Sequence, residues 1–170
     1  MSSSFTRRST VKAAAVAAGA VVVLGLGAAG ATAHSDSTEE LEVGGRPLSA
    51  ALNGANEVNA AGAPNQGDLD ANGAAKVTVN PGQNTLCVSL QVTGTDVIRG
   101  AHIHDQVAGK NGPVVVELLP AGQTFSTSFE RCVTVERGLL DEIRKNPAEY
   151  YVNLHNAEFR AGAVRGQLSK

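Results

Sequence analysis

Ala75-Lys76-Val77-Thr78-Val79-Asn80-Pro81-Gly82-Gln83-Asn84-Thr85-Leu86-Cys87-Val88-Ser89-Leu90-Gln91-Val92 is the stretch that decides the fold class. Ala75, Val77 and Val79 alternate with Lys76, Thr78 and Asn80, the period-2 pattern of a strand with one face on a core. Pro81-Gly82-Gln83-Asn84 carries turn chemistry, and Leu86, Val88, Leu90 and Val92 resume the alternation, so the stretch reads as a hairpin. The pattern recurs outward. Strands are expected from Pro47 onward and at Arg99–His104, Val114–Leu119, Thr124–Val135, Tyr150–His155 and Val164–Leu168, with Gly109, Asn111, Gly112 and Pro113 marking a loop. One helix interrupts them across residues 138–146, where Leu139, Leu140 and Ile143 share a face. Asp141 and Glu142 fall early and Arg144 and Lys145 late, as the helix dipole favours, and Pro147 ends it. The expectation is an all-β domain, a Greek-key sandwich or barrel with one short helix.

The alternation also places the two cysteines. Cys87 lies opposite the apolar face of its strand, with Ser89 and Gln91, and Cys132 lies opposite Val133 and Val135, with Glu130 and Thr134. Matching faces are what a bridge between two strands of one sheet requires, and a Cys87–Cys132 disulfide fits an oxidising compartment. A reactive thiol pair is the weaker alternative, because no Cys-x-x-Cys occurs and Arg131 is the sole flanking cation.

The start of the chain points to the same compartment. Arg7 and Arg8 precede an apolar run from Ala13 to about Ala33 that closes on Ala31-Thr32-Ala33, a small-x-small cleavage signal. Residues 1–33 therefore read as a signal peptide, residues 34–46 as a flexible polar lead-in and residues 47–170 as one β domain. Thr6-Arg7-Arg8-Ser9-Thr10-Val11-Lys12 partly fits the twin-arginine export pattern, with Thr10 where a bulky apolar residue is usual, so both export routes stay open. An uncleaved anchor is the alternative, but the run is dominated by weakly apolar Ala and Gly. Removal of Arg7, Arg8 and Lys12 with the signal leaves 11 basic and 16 acidic residues, a net charge of −5. With no basic cluster and few aromatics, nucleic acid and anionic membrane are disfavoured as partners.

The chemistry-bearing residues are histidines. Three of the four in the chain sit in Ala101-His102-Ile103-His104 and Tyr151-Val152-Asn153-Leu154-His155. Strand alternation puts His102 and His104 on one face, and Asn153 and His155 on one face of another strand. If the strands are neighbours, His102, His104 and His155 can hold one Cu or Zn ion and leave a fourth position open. The competing reading is a buried polar cluster bonded to backbone carbonyls and Asn153. His34 is a separate copper candidate, since cleavage after Ala33 would expose its amine beside its imidazole.

Around these motifs the sequence resembles the CHRD domain, the module first described in chordin and also found in secreted bacterial proteins. The resemblance rests on Leu52-Asn53-Gly54-Ala55-Asn56-Glu57-Val58, on Ala101–His104 with Gly109-Lys110-Asn111-Gly112-Pro113-Val114-Val115, and on Tyr151–His155 with Arg165-Gly166-Gln167-Leu168. It departs from the family pattern at Asn59, Ala60, Gln106 and Ala163. The resemblance implies a β domain that acts as an exported binding or structural module, its partner an extracytoplasmic protein or envelope component, and it implies no catalysis. A fainter similarity is to copper-zinc superoxide dismutases, which pair a Greek-key barrel with a His-x-His copper motif. That similarity implies a copper-dependent redox enzyme in which Arg165 attracts an anion toward His155, yet the loop after His104 carries no further histidine.

Other chemistry finds little support. There is no Gly-x-Ser-x-Gly elbow and no phosphate loop. Among carboxylates only Glu117 has an apolar setting, which an edge-strand charge also explains. Asp105 could orient an imidazole, or could simply cap a turn.

Export with cleavage predicts that intact-mass spectrometry of the extracytoplasmic protein finds a chain starting near His34. Recovery of only the full-length chain, in the cytoplasm, contradicts it.

Overall fold

The computed structural model describes residues 46–170, so the expected signal peptide, His34 and the expected lead-in up to residue 45 lie outside the described residues, while Arg46 already belongs to a strand. Eight strands form one antiparallel sheet: β1 (Arg46–Asn53), β2 (Asn72–Asn80), β3 (Thr85–Thr93), β4 (Gly100–Asp105), β5 (Val114–Glu117), β6 (Ser128–Thr134), β7 (Tyr150–His155) and β8 (Val164–Gln167). Their order is β5-β4-β7-β8-β1-β2-β3-β6. The hairpin read from the sequence is β2–β3, in register through Val77↔Val88 and Val79↔Leu86. Its turn is built by Asn80, whose side-chain oxygen accepts from the Gln83 N–H at 3.2 Å, and by Asn84, which takes the left-handed conformation at φ 52°.

The chain runs from β3, beside one edge of the sheet, to β4, beside the other, and from β5 at one edge to β6 at the opposite edge. Short connections can make those crossings only if the sheet curls. The curl is visible in the core, which is a single cluster drawing Leu48, Leu52, Val77, Leu86 and Leu90 from one half of the sheet and Ile103, Val152 and Leu154 from the other. β1 and β8 share one ladder pair, Asn53↔Arg165, and the isolated bridge Ser49↔Ser169. Gly166 sits there because a Cβ would run into the Ala51 carbonyl. The all-β expectation holds, realised as one curled sheet and not as two separate ones.

Several boundaries differ from those the sequence suggests. The strand expected over Val114–Leu119 stops at Glu117, because the Leu118 and Leu119 N–H groups both turn to the Ala101 carbonyl, at 2.9 and 3.2 Å, and bury their side chains. The strand expected over Thr124–Val135 begins at Ser128, while Phe125 makes only an isolated bridge with Ile98. Helix α1 spans Arg137–Lys145 and buries Leu140 and Ile143. Its first turn holds no acidic residue, so Asp141 acts locally, pairing with Arg144 at 3.0 Å and Arg137 at 3.8 Å.

Cys87 and Cys132 are directly opposed in the β3–β6 register and are bonded to each other. One step along the same outer face, Ser89 donates to Glu130 at 2.9 Å. The bridge ties the edge strand β6 to the sheet across a sequence separation of 45 residues. In the chain-entropy account such a closure stabilises by at most about 4 kcal/mol. Non-reducing peptide mapping should recover the two cysteines linked, and Cys87→Ser/Cys132→Ser should unfold at lower denaturant by a few kcal/mol; two freely alkylated thiols in the native protein would refute the pairing.

Candidate metal centre

Strands β4 and β7 are antiparallel neighbours, with Gly100 opposite His155, His102 opposite Asn153 and His104 opposite Tyr151. Ala101, Ile103, Val152 and Leu154 point into the core and are fully buried. Alternation therefore sends His102, His104, Tyr151, Asn153 and His155 to the outer face together. Cross-strand and diagonal neighbours on one face lie within side-chain reach, and one nitrogen from each of the three histidines falls within 4.8 Å of the others.

Two hydrogen bonds and one ion-pair contact stand behind the rings. His102 Nε2 lies 3.2 Å from the Glu117 carboxylate. His104 Nδ1 lies 2.9 Å from the Gly112 carbonyl. His155 Nδ1 lies 3.1 Å from the Arg160 carbonyl. A carbonyl only accepts, so Nδ1 of His104 and of His155 carries the hydrogen, while the Glu117 carboxylate makes an ion-pair contact with His102 Nε2 and no hydrogen bond. His104 Nε2 and His155 Nε2 therefore present bare lone pairs. His104 Nε2 is buried without a partner among the described residues. His102 Nδ1 and His155 Nε2 are hydrogen-bonded at 3.0 Å, with His155 Nε2 the acceptor because its Nδ1 holds the ring hydrogen.

The surroundings oppose a second proton on any of the rings. Burial, and then the His102 ring, push His155 down to about 4. Burial followed by the neighbouring His104 lowers His102, and burial lowers His104 against the pull of its Gly112 hydrogen bond. Three neutral imidazoles whose nitrogens converge are the donor set of a transition-metal site. Metal–nitrogen bonds of about 2.0–2.1 Å set adjacent ligand nitrogens roughly 3.0–3.4 Å apart, which the His102–His155 pair already meets. Each ring is also fixed from behind by an acceptor, as metal-binding histidines commonly are.

A buried polar layer supports the rings. Tyr151 stacks on His104, with ring centres 4.7 Å apart, and carries the Arg165 guanidinium 3.8 Å from its centroid. Because β4 and β8 flank β7, the phenol lies between the imidazole and the guanidinium. Arg165 is 2% exposed and donates to Asn111 Oδ1 at 2.9 Å and to the Lys110 carbonyl. The Tyr151 hydroxyl accepts from the Gly112 N–H at 3.3 Å. Arg165 and Tyr151 thus hold the loop whose Gly112 carbonyl orients His104. The sequence suggested an Arg165 that attracts anions or pairs at the surface; its guanidinium is instead buried in this layer.

Asn153 is buried opposite both His102 and Arg165, and its Oδ1 finds no partner among the described residues. Glu117 lies on the edge strand, as its charge suggested, and it is Glu117, not the exposed Asp105, that backs an imidazole. Glu57 went unnoticed in the sequence, although it is the carboxylate that burial alters most. It is 3% exposed, and burial raises it to about 7 against the opposing pull of Arg165 and a hydrogen bond from Asn153. Its segment lacks periodicity, so only its place within Leu52–Val58 marked it.

A family model for the CHRD domain matches residues 48–168. The chain belongs to the CHRD-domain family, and the fold and the histidine cluster described above are those of its CHRD domain. No curated protein and no solved structure matches the chain.

The Glu57 shift has a defined pH signature. A carboxyl raised from 4.5 to about 7 favours folding fully below its unfolded value, and that contribution is lost as pH rises through the folded one. The lowered histidines act oppositely: their contribution is present above 6.5 and is lost as pH falls toward His155's value of about 4. Comparison with Glu57→Gln cancels the histidines. Denaturation of metal-free protein should show the variant gaining on the wild type between pH 4.5 and 8, by up to about 3 kcal/mol; a pH-independent difference would contradict the buried acid.

Proposed function

We propose that this CHRD domain is an exported binding module that holds one copper or zinc ion through His102 Nδ1, His104 Nε2 and His155 Nε2. The observation that carries the reading is the convergence of one nitrogen from each of the three histidines within 4.8 Å, with His102 Nδ1 and His155 Nε2 3.0 Å apart. A divalent cation would replace the hydrogen shared by His102 Nδ1 and His155 Nε2 with two metal bonds and also engage the otherwise unpartnered His104 Nε2. Membership of the CHRD family supports a binding or structural role. The disulfide is in keeping with an oxidising, extracytoplasmic setting. No helix among the described residues is long and apolar enough to cross a membrane.

Three histidines around one ion leave a coordination position free, which serves a binding module as well as a catalyst. Superoxide consumption by copper-loaded protein separates the two: the module reading expects no more than free copper gives.

Calorimetric titration of Cu(II) and Zn(II) should show one ion bound per chain. His104→Ala should weaken binding by roughly 100-fold or more, and Glu117→Ala, which removes only the carboxylate behind His102, by about 10-fold. Bound metal should also raise the unfolding temperature of the wild type. Equal binding by wild type and His104→Ala would place the ion elsewhere, with His34 the first site to test.

A further inference from the structure

A cleft of about 490 Å³ opens beside the histidines, lined by Arg99, His102, His155 and Arg160 among others. It reaches two of the three imidazoles, and its size falls within the range of small-molecule sites. We propose that this cleft binds a small oxyanion, a carboxylate or phosphate, which takes the open position of the histidine-held metal and is clamped by Arg99 and Arg160. The inference rests on the metal reading given above and names the ligand that completes it.

The two arginines are anchored at the site by their backbones. The Arg99 N–H donates to the His155 carbonyl at 2.8 Å, and the Arg160 carbonyl accepts from His155 Nδ1 at 3.1 Å. Their side chains are exposed, and among the described residues neither guanidinium pairs with a carboxylate. Arg137 and Arg144, by contrast, both pair with Asp141. The Arg160 side chain makes only a long contact, Nε to the Ala157 carbonyl at 3.4 Å. Glu117, the carboxylate nearest the histidines, is turned to His102 Nε2, and no acidic side chain lines the cleft.

Two free guanidinium groups are therefore concentrated at one opening of a domain whose overall balance is acidic. A divalent ion held by three neutral imidazoles keeps its full charge and adds to theirs. Guanidinium forks match the paired oxygens of carboxylate and phosphate. An oxyanion in the cleft can give one oxygen to the metal and another to an arginine.

The test uses protein loaded with Co(II), whose visible bands report changes in coordination, in a non-coordinating buffer. Acetate and inorganic phosphate are titrated separately at saturating Co(II), so that differences in metal affinity drop out. The expected result is a saturable spectral change with at least one anion, its apparent Kd weakened tenfold or more in Arg99→Gln/Arg160→Gln. Lys76→Gln/Arg131→Gln, which removes the same charge from the β2–β6 end of the sheet, should match the wild type. Response to acetate alone marks a carboxylate site, and response to phosphate alone a phosphate site. Absence of a saturable change, or equal weakening by both double variants, overturns the oxyanion clamp and leaves the metal site standing. Failure of the wild type to bind Co(II) overturns both.

Discussion

The register of β4 against β7 is the constraint on which the rest depends. Setting Ile103 opposite Val152 and Ala101 opposite Leu154 completes the apolar core, and the same pairing sets His102, His104, Tyr151, Asn153 and His155 together on the other face. A slip of one residue would exchange the faces, putting imidazoles in the core and Ile103 and Val152 outside. Core packing thereby enforces the geometry of the polar face. The histidines need no stabilisation of their own to be brought together, because burial of their neighbours does it.

Convergence alone would produce only a polar cluster. What distinguishes this one is the set of acceptors behind the rings: a carboxylate from β5, the Gly112 carbonyl and the Arg160 carbonyl. The two carbonyls each hold a ring hydrogen away from the space between the rings and leave a lone pair there, on His104 and on His155. Burial then keeps the rings neutral, since a charged imidazole is costly away from water. The Arg165–Tyr151 stack adds rigidity by holding the loop that supplies Gly112. The same layer carries the buried Glu57, so the domain keeps an ionisable acid beneath its polar face at a cost in stability that grows with pH.

Much of this was legible in the sequence for a simple reason: strand alternation is a local rule. Lys76–Val92 disclosed a hairpin, the faces of Cys87 and Cys132 disclosed a disulfide, and the spacing of His102 and His104 put two ligands on one face without reference to any partner strand. The helix was legible through Leu140 and Ile143, though not its acidic start, because Arg137 extends it by a residue and moves Asp141 into the second turn. The ends of β5 and β6 were not legible, since they depend on where the Ala101 carbonyl and Ile98 find partners across the curl.

Sequence by itself determined the strands, the inward and outward faces, the cysteine pair and the three histidines, all properties that each residue shares with its neighbours two positions away. Only the tertiary structure decided which strands adjoin, and so that His155 meets His102, that Glu117 and not Asp105 backs a ring, and that Glu57 and Arg165 are buried. Those outcomes depend on carbonyls and carboxylates delivered from loops and strands far along the chain. Their roles come from solvent exclusion and contact in space, and neither leaves a period in the sequence.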